Sequence, residues 1–304
     1  MILIITHKED YTSDYIINKL NEQRISYFRL NCEDIPNYKF KIDESLNLSI
    51  NGIDSFESIW FRRTKLVDYS KYSSEYQHFL LAEYDSFLKN LFNILDSKKW
   101  LSHPNDVYIA ENKLLQLKLA KNIGFLIPKT LITTDKNKVK QFYTENNNKV
   151  IIKPFWNSKI QVEGKTKLLF TNLVSHKHID ELDSLDISPI IFQEYIEKKK
   201  EFRVTIIDKE IFVASVDSQT NQKTLIDWRR DNLTFKKDKL PIEIEKKCFE
   251  LVSKLGLKFG AIDLIQDING NIIFLEINPN GQWVWIETDT GLEISKSLIN
   301  YLTQ

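Results

Sequence analysis

The sequence predicts an α/β (α+β) protein of more than one domain, and three observations support this prediction. The chain opens with an apolar run at Ile2–Thr6, an amphipathic segment that ends near Leu20 and a second apolar run at Ser26–Leu30. This β-α-β order is typical of a small parallel sheet. Two further apolar runs flank the turn-prone segment 267–271, which contains Asn-Gly, and predict an antiparallel hairpin. With 304 residues, the chain is also longer than one typical domain.

The composition argues against several classes of protein. Lys plus Arg and Asp plus Glu each number 42, so the chain as a whole has no net charge to attract nucleic acid or an anionic membrane. Cys32 and Cys248 have neither a CxxC spacing nor Cys or His neighbours, which argues against a zinc site or a disulfide framework. No apolar run reaches the roughly 18 residues of a membrane-spanning helix, and the N-terminus has no basic leader. We therefore expect a soluble, cytoplasmic protein without nucleic-acid or membrane partners.

The first turn of the chain lacks a nucleotide-binding motif. Residues 6–10 contain no glycine, so a dinucleotide-binding GxGxxG loop is absent, and no GxxxxGK[ST] phosphate loop occurs elsewhere in the sequence. If the protein uses a nucleotide, it must therefore hold it in another way.

Two adjacent arginines end a predicted strand in the first third of the chain. Two short strands are predicted within Phe40–Ile50, and Ser58–Arg63 predicts a strand that ends in the arginine pair. Arginine pairs recognise carboxylates or phosphates through paired hydrogen bonds. The alternative is an exposed strand end with solvated charges. Ser73–Asp96 then predicts a long amphipathic helix, whose apolar stripe serves either the core or a homodimer interface.

A break at Trp100–Pro104 marks the first predicted domain boundary. A predicted helix at Ala110–Ala120 follows, with Gly124 as its stop signal, and a strand opens at Pro128–Thr130. The break therefore separates the opening sheet from a second group of elements.

Two later strands carry charged residues where burial is expected. In Lys149–Pro154, Lys153 interrupts an apolar run, so it needs an anionic partner unless it reaches water from an edge strand. Pro189–Ile196 predicts another strand, which runs into a polar hinge at 197–201. Within that hinge, Lys198–Lys200 is interpreted as a solvated run of charge.

Arginines recur in the last third of the chain. Phe202–Ile206 and Phe212–Val216 predict strands, and Arg203 stands among the apolar residues of the first, where it is suited to clamp a phosphate. The loop that follows contains Asp227-Trp228-Arg229-Arg230, which could be simple surface. The remaining predicted helices are Ile242–Leu255, which Gly256 ends, and Gly291–Leu302.

The predicted hairpin near the C-terminus brings polar residues onto one face. Residues two apart in a strand point the same way, so Glu276 and Asn278 share a face, and Asp263 on the partner strand can lie opposite them. The other face takes the apolar residues Ile273, Leu275 and Ile277. Two carboxylates and one amide oxygen suit Mg²⁺ that carries nucleotide phosphates. The alternative is a hairpin with one polar, solvated face.

The same hairpin carries a resemblance to a known family. Asp263 together with Leu275-Glu276-Ile277-Asn278-Pro279 resembles the third domain of ATP-grasp ligases. The continuation Asn280-Gly281-Gln282-Trp283 resembles more specifically the ATP-grasp enzymes that crosslink ribosomally made peptides, the microviridin-type or graspetide maturases, and Trp60-Phe61-Arg62-Arg63 is similar to a pattern at the same place in them. The resemblance implies an ATP-grasp fold with an N-terminal Rossmann-like pre-ATP-grasp α/β domain (1–102), a central domain (103–194) and a C-terminal antiparallel-sheet domain that holds the Mg²⁺ site (195–304).

The resemblance also implies roles for individual residues. The implied nucleotide-binding residues are Lys113, Lys153 and Arg203 for the phosphates, Glu194 and Ile196 for the adenine edge, and Glu201 for the ribose. The implied Mg²⁺ ligands are Asp263, Glu276 and Asn278. Arg229, and more weakly Arg230, would neutralise the reacting carboxylate, with Arg203 as a third catalytic arginine. By the same resemblance, residues 156–164 correspond to a loop that covers the phosphates. The region around residues 155–185 corresponds to the leader-binding surface.

The implied reaction uses ATP and needs no nucleophile from the protein. ATP phosphorylates an Asp or Glu side chain of a precursor peptide (leader plus core), and a Ser or Thr hydroxyl or a Lys amine of the same peptide attacks the acyl phosphate. The product is an intramolecular ester or amide. No Ser/His or Cys/His constellation is identifiable in the sequence, which agrees with this chemistry. Two alternatives remain, a ligase that adds amino acids to a protein or peptide carboxylate and a non-catalytic ATP- or peptide-binding module.

Overall fold

The computed structural model describes residues 1–97, 99–155, 159–162, 165–168, 171–182, 188–220, 222–231 and 233–304. The predicted loop at 156–164 and the predicted leader-binding region at 155–185 lie partly outside these ranges. The helices are α1 (Tyr11–Glu22), α2 (Ser74–Ile94), α3 (Pro104–Ala110), α4 (Lys113–Ile123), α5 (Lys136–Glu145), α6 (His176–Asp180), α7 (Ile242–Lys254), α8 (Val284–Thr290) and α9 (Ile294–Thr303). The strands are β1 (Ile2–Thr6), β2 (Tyr27–Asn31), β3 (Phe40–Ile42), β4 (Leu48–Ile50), β5 (Ser58–Phe61), β6 (Trp100–Leu101), β7 (Thr130–Thr133), β8 (Val150–Lys153), β9 (Lys159–Val162), β10 (Lys165–Leu168), β11 (Asn172–Leu173), β12 (Ile190–Glu194), β13 (Lys198–Ile207), β14 (Glu210–Val216), β15 (Lys236–Lys237), β16 (Phe259–Asp267) and β17 (Ile272–Asn278). Within the described ranges, no helix is long and apolar enough to cross a membrane.

The N-terminal part of the chain forms a parallel sheet with the strand order β2-β1-β5-β6. Strand β1 is buried along its whole length, as its unbroken apolar sequence predicts. Helix α1 follows it directly, because the carboxylate of Asp10 accepts a hydrogen bond from the amide of Thr12 and caps the helix. The predicted β-α-β opening is therefore confirmed.

The protein's own chain fills the crevice at the carboxyl ends of β1 and β5, which is the place where such sheets bind ligands. Arg62, directly after β5, is only 2% exposed, and its Nη1 donates to the carbonyl of Asn280 at 2.5 Å. Thr12 hydrogen-bonds to the side chain of Gln282, and Asp10 Oδ2 lies 3.5 Å from Arg62 Nε. The alternative of a solvated strand end is therefore wrong for Arg62, because this arginine holds the 280–282 segment against the first sheet.

The long helix α2 contributes to the core mainly along its C-terminal half. Leu88, Leu91 and Phe92 are buried in the cluster that also contains residues of β1 and β5. Phe79, which belongs to the predicted apolar stripe, is 60% exposed. A homodimer through this helix stays a prediction.

Two helix starts differ from the prediction. Pro104, interpreted as a break, is the first residue of α3, a position at which proline is tolerated because the N–H there has no partner in the helix. The next helix begins at Lys113 and not at Ala110. Its start is fixed by Asn112, whose side chain accepts a hydrogen bond from the backbone amide three residues later at 3.0 Å.

Two glycines end helices in the left-handed region of backbone conformation. Gly124 follows α4 with a φ of +91°, which confirms the predicted stop. Gly291 follows α8 with a φ of +68°. The predicted closing helix at Gly291–Leu302 therefore starts too early, because this glycine terminates α8 and α9 begins at Ile294.

Two antiparallel sheets carry the residues of the candidate site. One has the order β11-β8-β12-β7 and places Lys153 at the end of β8 and Glu194 at the end of β12. The other has the order β15-β14-β13-β16-β17 and sets Arg203, Asp263 and Glu276 side by side on three adjacent strands. The predicted hairpin is confirmed as β16 and β17, while the domain boundaries at 102/103 and 194/195 stay predictions.

A β-bulge changes the alternation of side chains along β17. Asp263 pairs with Glu276, but the next residue of β16 pairs with Phe274, so Leu275 is the extra residue. Phe274 and Ile277 both belong to the core, whereas Leu275 lines the same cavity as Glu276. The prediction that Leu275 shares the apolar face of Ile277 is therefore wrong.

Candidate active site

Four side chains form a row across the C-terminal sheet. Arg203 Nη1 donates to Asp263 Oδ1 at 2.8 Å, and Asn278 Nδ2 donates to Asp263 Oδ2 at 3.3 Å. Glu276 is the direct cross-strand partner of Asp263. The structure therefore brings together all three residues expected to bind metal and the arginine expected to clamp a phosphate.

The two lysines expected to contact phosphate lie beside this row. Lys113 Nζ is 3.6 Å from Glu276 Oε2 and donates to a backbone carbonyl at 3.0 Å. Burial lowers the pKa of Lys153, although the charge of Glu276 opposes this effect. Burial alone would raise the pKa of Glu276, but the charges of the two lysines, Arg229 and Arg203 together hold it below its usual value. Four cations surround the carboxylate of Glu276, so a further negative group, such as a phosphate, would be stabilised beside it.

Asp263, Glu276 and Asn278 form a donor set that suits Mg²⁺. Burial raises the pKa of Asp263, and the charge of Glu276 adds to this effect while Arg203 opposes it. A divalent cation at the two carboxylates would relieve their repulsion. In the part of the chain that the structure describes, no group of three or more His, Cys, Asp or Glu side chains is placed to hold a metal. Two carboxylates and one amide leave coordination positions for phosphate oxygens and water, as Mg²⁺ in nucleotide sites requires.

A first cavity of about 460 Å³ opens beside this row and is lined by residues of both antiparallel sheets. Its apolar walls are Ile151, Ile196, Ile265 and Leu275. Its polar lining includes Lys113, Lys153, Gln193, Glu194, Lys198 and Glu201. The carboxylate of Glu194 accepts a hydrogen bond from the amide of Lys129 at 2.8 Å, which fixes this residue at the end of β12. The residues expected at the adenine and the ribose therefore share one cavity with two of the residues expected at the phosphates, Lys113 and Lys153.

Lys198 belongs to the wall of the first cavity and not to a solvated run of charge. Its side chain is buried, with Nζ 2.8 Å from Glu201 Oε1 and 3.2 Å from the carbonyl of Ile226, to which it donates. Lys200 pairs with Asp238 at 2.8 Å. The interpretation of Lys198–Lys200 as solvated is therefore wrong for Lys198, whereas the side chain of Lys200 is 36% exposed in its ion pair. A register shift between Lys198 and Lys200 at the edge of β13 turns the first lysine inward, and the amino-acid types do not reveal such a shift.

A second cavity of about 660 Å³ adjoins the first and shares Arg63, Lys113, Trp228, Arg229, Asp263, Glu276 and Asn278 with it. Arg229 is held in place by Asp227, which accepts from its Nη2 at 2.6 Å and from its Nε at 2.8 Å. This pairing raises the pKa of Arg229 above its usual value. Asp227 was not singled out from the sequence, although its position two residues before the arginine is the signal that could have identified it.

Arg230 lies apart from its neighbour. Its Nη2 donates to the carbonyl of Thr171 and to Asn172 Oδ1, both at 2.7 Å. Of the three residues expected to be catalytic, Arg203 and Arg229 therefore line the second cavity, while Arg230 ties the turn after β14 to the segment that contains β11.

Gly281 allows the 280–282 segment to approach the row of site residues. A Cβ at this position would lie 2.6 Å from Arg203 Nη2 and 2.5 Å from Ala261 Cβ. The Gly281→Ala substitution is expected to displace Arg203 and to lower the rate of ATP turnover by about 10- to 100-fold, because small misplacements of charged groups are costly. Initial rates of ADP formation measure this effect. The Gly52→Ala control strains the backbone, because Gly52 has a φ of +81°, but its Cβ would meet no heavy atom within 4 Å and the residue lies outside both cavity walls as described. The folded control should turn over ATP like the wild type, and equal rates for both variants would contradict the prediction.

Comparisons with known proteins agree with this geometry. The RimK-like ATP-grasp domain matches residues 110–302, and the MvdD pre-ATP grasp domain matches residues 1–108. A RiPP-associated ATP-grasp ligase of Chryseobacterium gregarium, solved in complex with ADP and a leader and core peptide, is 27% identical with a TM-score of 0.89, over 99% of this chain and 96% of that chain. Macrocyclase MdnC of Microcystis aeruginosa MRC, solved with precursor peptide MdnA, is 28% identical with a TM-score of 0.87, over 99% of each chain.

A more distant relative has a different named activity. The tetrahydromethanopterin:alpha-L-glutamate ligase of Methanocaldococcus jannaschii is 22% identical over 256 residues, which is 76% of this chain and 83% of the relative. The RimK-like match covers more than half of the chain, and the predicted ATP-grasp fold is confirmed. The chain belongs to the RimK-like ATP-grasp family.

Proposed function

We propose that this protein is an ATP- and Mg²⁺-dependent ligase that activates Asp or Glu side chains of a ribosomally made precursor peptide and closes ester or amide crosslinks within it. One observation carries the proposal. A cavity with apolar walls and phosphate-compatible cations adjoins a second, arginine-lined cavity, and the two meet at Asp263, Glu276 and Asn278. Two relatives above 25% identity, both solved with peptides, support the choice of a peptide substrate.

The first cavity is the proposed nucleotide site. Lys113 and Lys153 in its wall, with Arg203 from the adjoining second cavity, would neutralise the phosphates. Glu194 and Ile196 would meet the adenine edge, and Glu201 would meet the ribose. The ion pair with Lys198 holds the Glu201 carboxylate in the wall. Asp263, Glu276 and Asn278 would ligate Mg²⁺, which, when bound, supplies charge neutralisation on the phosphates.

The second cavity is the proposed site of the peptide side chains. Arg229, oriented by Asp227, would bind the carboxylate that becomes phosphorylated, since paired N–H groups match a carboxylate. Arg230 would act indirectly, by fixing the segment at Thr171 beneath the same turn. The aromatic side chains of Trp228 and Trp285 line this cavity and would exclude water from the acyl phosphate.

The alternative is a ligase that adds amino acids to a carboxylate, and the glutamate-ligase relative keeps it open. The intact mass of a peptide separates the two. A short peptide rich in Ser/Thr and Asp/Glu, encoded beside this chain, is incubated with the enzyme, ATP and Mg²⁺. Loss of one water per crosslink together with ADP release is the expected result. A gain in mass would identify amino-acid addition, and an unchanged mass without ADP would leave only a binding module.

A further inference from the structure

The carboxyl groups that line the two cavities differ in how they are paired. Six described residues of these walls carry a carboxyl group, and five of them lie beside a cation. The pairs are Glu194 with Lys129 at 3.7 Å, Glu201 with Lys198 at 2.8 Å, Asp227 with Arg229 at 2.6 Å, Asp263 with Arg203 at 2.8 Å, and Glu276 with Lys113 at 3.6 Å. The sixth is Glu111, whose carboxyl makes no hydrogen bond or ion pair with the described part of the chain.

The position of Glu111 separates it from the nucleotide. Glu111 lines the second cavity, and it is absent from the described wall of the first cavity. It lies between α3 and α4, two residues before Lys113, which touches Glu276. Glu111 is thus near the phosphate end of the nucleotide site, but on the side where the peptide is proposed to bind.

The surroundings of Glu111 suit a proton acceptor. Glu111 is exposed to solvent at the mouth of the second cavity, yet the surrounding protein partly removes water from its carboxyl and raises its pKa, while the charge of Arg63 opposes this effect. The pKa values of Asp227 and Glu276 are instead held below their usual range by their cations. A carboxylate with a raised pKa is a stronger base than an unperturbed one. Asp263 also has a raised pKa, but its oxygens are committed to Arg203 and the proposed metal site.

We propose that Glu111 is the general base of the crosslinking step, an inference that rests on the proposed function. The peptide hydroxyl oxygen forms a bond to the acyl carbon of the acyl phosphate, the bond from that carbon to the phosphate oxygen breaks, and inorganic phosphate leaves. The hydroxyl proton passes to the Glu111 carboxylate. For a lysine nucleophile, the ammonium group gives one proton to the same carboxylate before the neutral amine attacks, and the second proton leaves with the departing inorganic phosphate. Carboxylate activation, which precedes this step, does not need Glu111.

Hydroxylamine separates the two half-reactions, because it is a neutral nucleophile near neutral pH and attacks an acyl phosphate without a protein base. The Glu111→Gln enzyme is incubated with the candidate peptide, ATP and Mg²⁺, with and without hydroxylamine, and products are followed by mass. We expect peptidyl hydroxamate at the wild-type rate and a loss of crosslinking by about 100-fold or more. Glu111→Asp, which keeps the carboxylate, should restore part of the crosslinking.

Asp106→Asn is the matched control, since this acid lies on α3 with its carboxyl against Gly256 and outside the described cavity walls. It should crosslink at the wild-type rate. Wild-type crosslinking by Glu111→Gln would overturn the assignment, and so would loss of hydroxamate with an unchanged melting temperature, because Glu111 would then act in activation. If the wild-type enzyme yields neither hydroxamate nor crosslinks, the proposed function itself fails, and the role of Glu111 fails with it.

Discussion

Replacement of Glu276 by glutamine is expected to abolish ATP turnover while metal-free nucleotide binding is retained. The substitution keeps the shape of the side chain but replaces a charged carboxylate, one of the proposed Mg²⁺ ligands, with a neutral amide. Because Lys113, Lys153, Arg203 and Arg229 surround this carboxylate, its loss leaves their charge available to the nucleotide phosphates. We expect turnover to fall by at least about 100-fold, since charge stabilisation at the transferred group is lost.

Calorimetric titration with ADP, in the presence and absence of Mg²⁺, tests the physical reason directly. The wild type should bind ADP more tightly with Mg²⁺, whereas Glu276→Gln should show little response to the metal and equal or tighter metal-free binding. Glu293→Gln, which removes a surface carboxylate paired with Lys296 at 3.0 Å, is the control and should behave like the wild type. Wild-type turnover and metal response in Glu276→Gln would exclude this residue as a ligand.

The β16–β17 hairpin shows which parts of the site can be predicted from sequence. The Asn-Gly turn and the two apolar runs define the strands, and the strand period places Glu276 and Asn278 on one face. Asp263 lies directly across from Glu276, as expected for a hairpin. The bulge at Leu275 could not be predicted, because it depends on how β16 and β17 pair and not on the pattern of either strand.

Two buried charges are further differences. The sequence favours a solvated Lys198 and leaves a solvated Arg62 as an alternative, because each stands next to other charged residues. Each contacts a carbonyl that is distant along the chain, that of Ile226 for Lys198, which also pairs with the nearby Glu201, and that of Asn280 for Arg62. Composition and periodicity describe one segment at a time, so they cannot supply such partners. The resemblance at Trp60–Arg63 draws attention to this segment, and the structure shows its contact, the hydrogen bond from Arg62 to the carbonyl of Asn280.

Replacement of Arg62 by methionine is expected to lower both the stability and the activity of the protein. The side chains of Arg62 and Asp10 are 2% and 1% exposed, so removal of the arginine leaves a buried carboxylate without its cation. Breaking a buried pair in this way costs about 3–5 kcal/mol in the free energy of unfolding. The loss also removes the shorter of the two arginine hydrogen bonds to the carbonyl of Asn280, leaving that of Arg63 at 3.3 Å. This loosens the segment whose Gln282 carbonyl accepts from Arg203 Nη2 at 3.2 Å, so turnover should fall as well.

Urea unfolding provides the measurement, and Lys65→Met is its control, because Lys65 pairs with Glu9, the neighbour of Asp10, at the surface. The Lys65–Glu9 distance is 2.9 Å and the two side chains are 48% and 78% exposed, so the loss of this lysine should cost no more than about 1 kcal/mol. An Asp10→Asn and Arg62→Met double variant should recover part of the stability, because no uncompensated charge remains buried. Equal losses for Lys65→Met and Arg62→Met would contradict the buried-pair interpretation.

The same pair makes the loss of stability depend on pH in a defined direction. Burial alone would raise the pKa of Asp10, but the charge of Arg62 and hydrogen bonds from Ser13 and Thr6 hold it below its usual value. In the wild type this depressed pKa contributes stability that is present above the unfolded-state pKa and is lost as the pH falls through the folded-state pKa. Without Arg62, burial should raise the pKa of Asp10, so protonation at lower pH should stabilise the variant relative to neutral pH. The difference in unfolding free energy between wild type and Arg62→Met should therefore shrink from about pH 7 to about pH 4, and a constant difference would place its cause outside this ion pair.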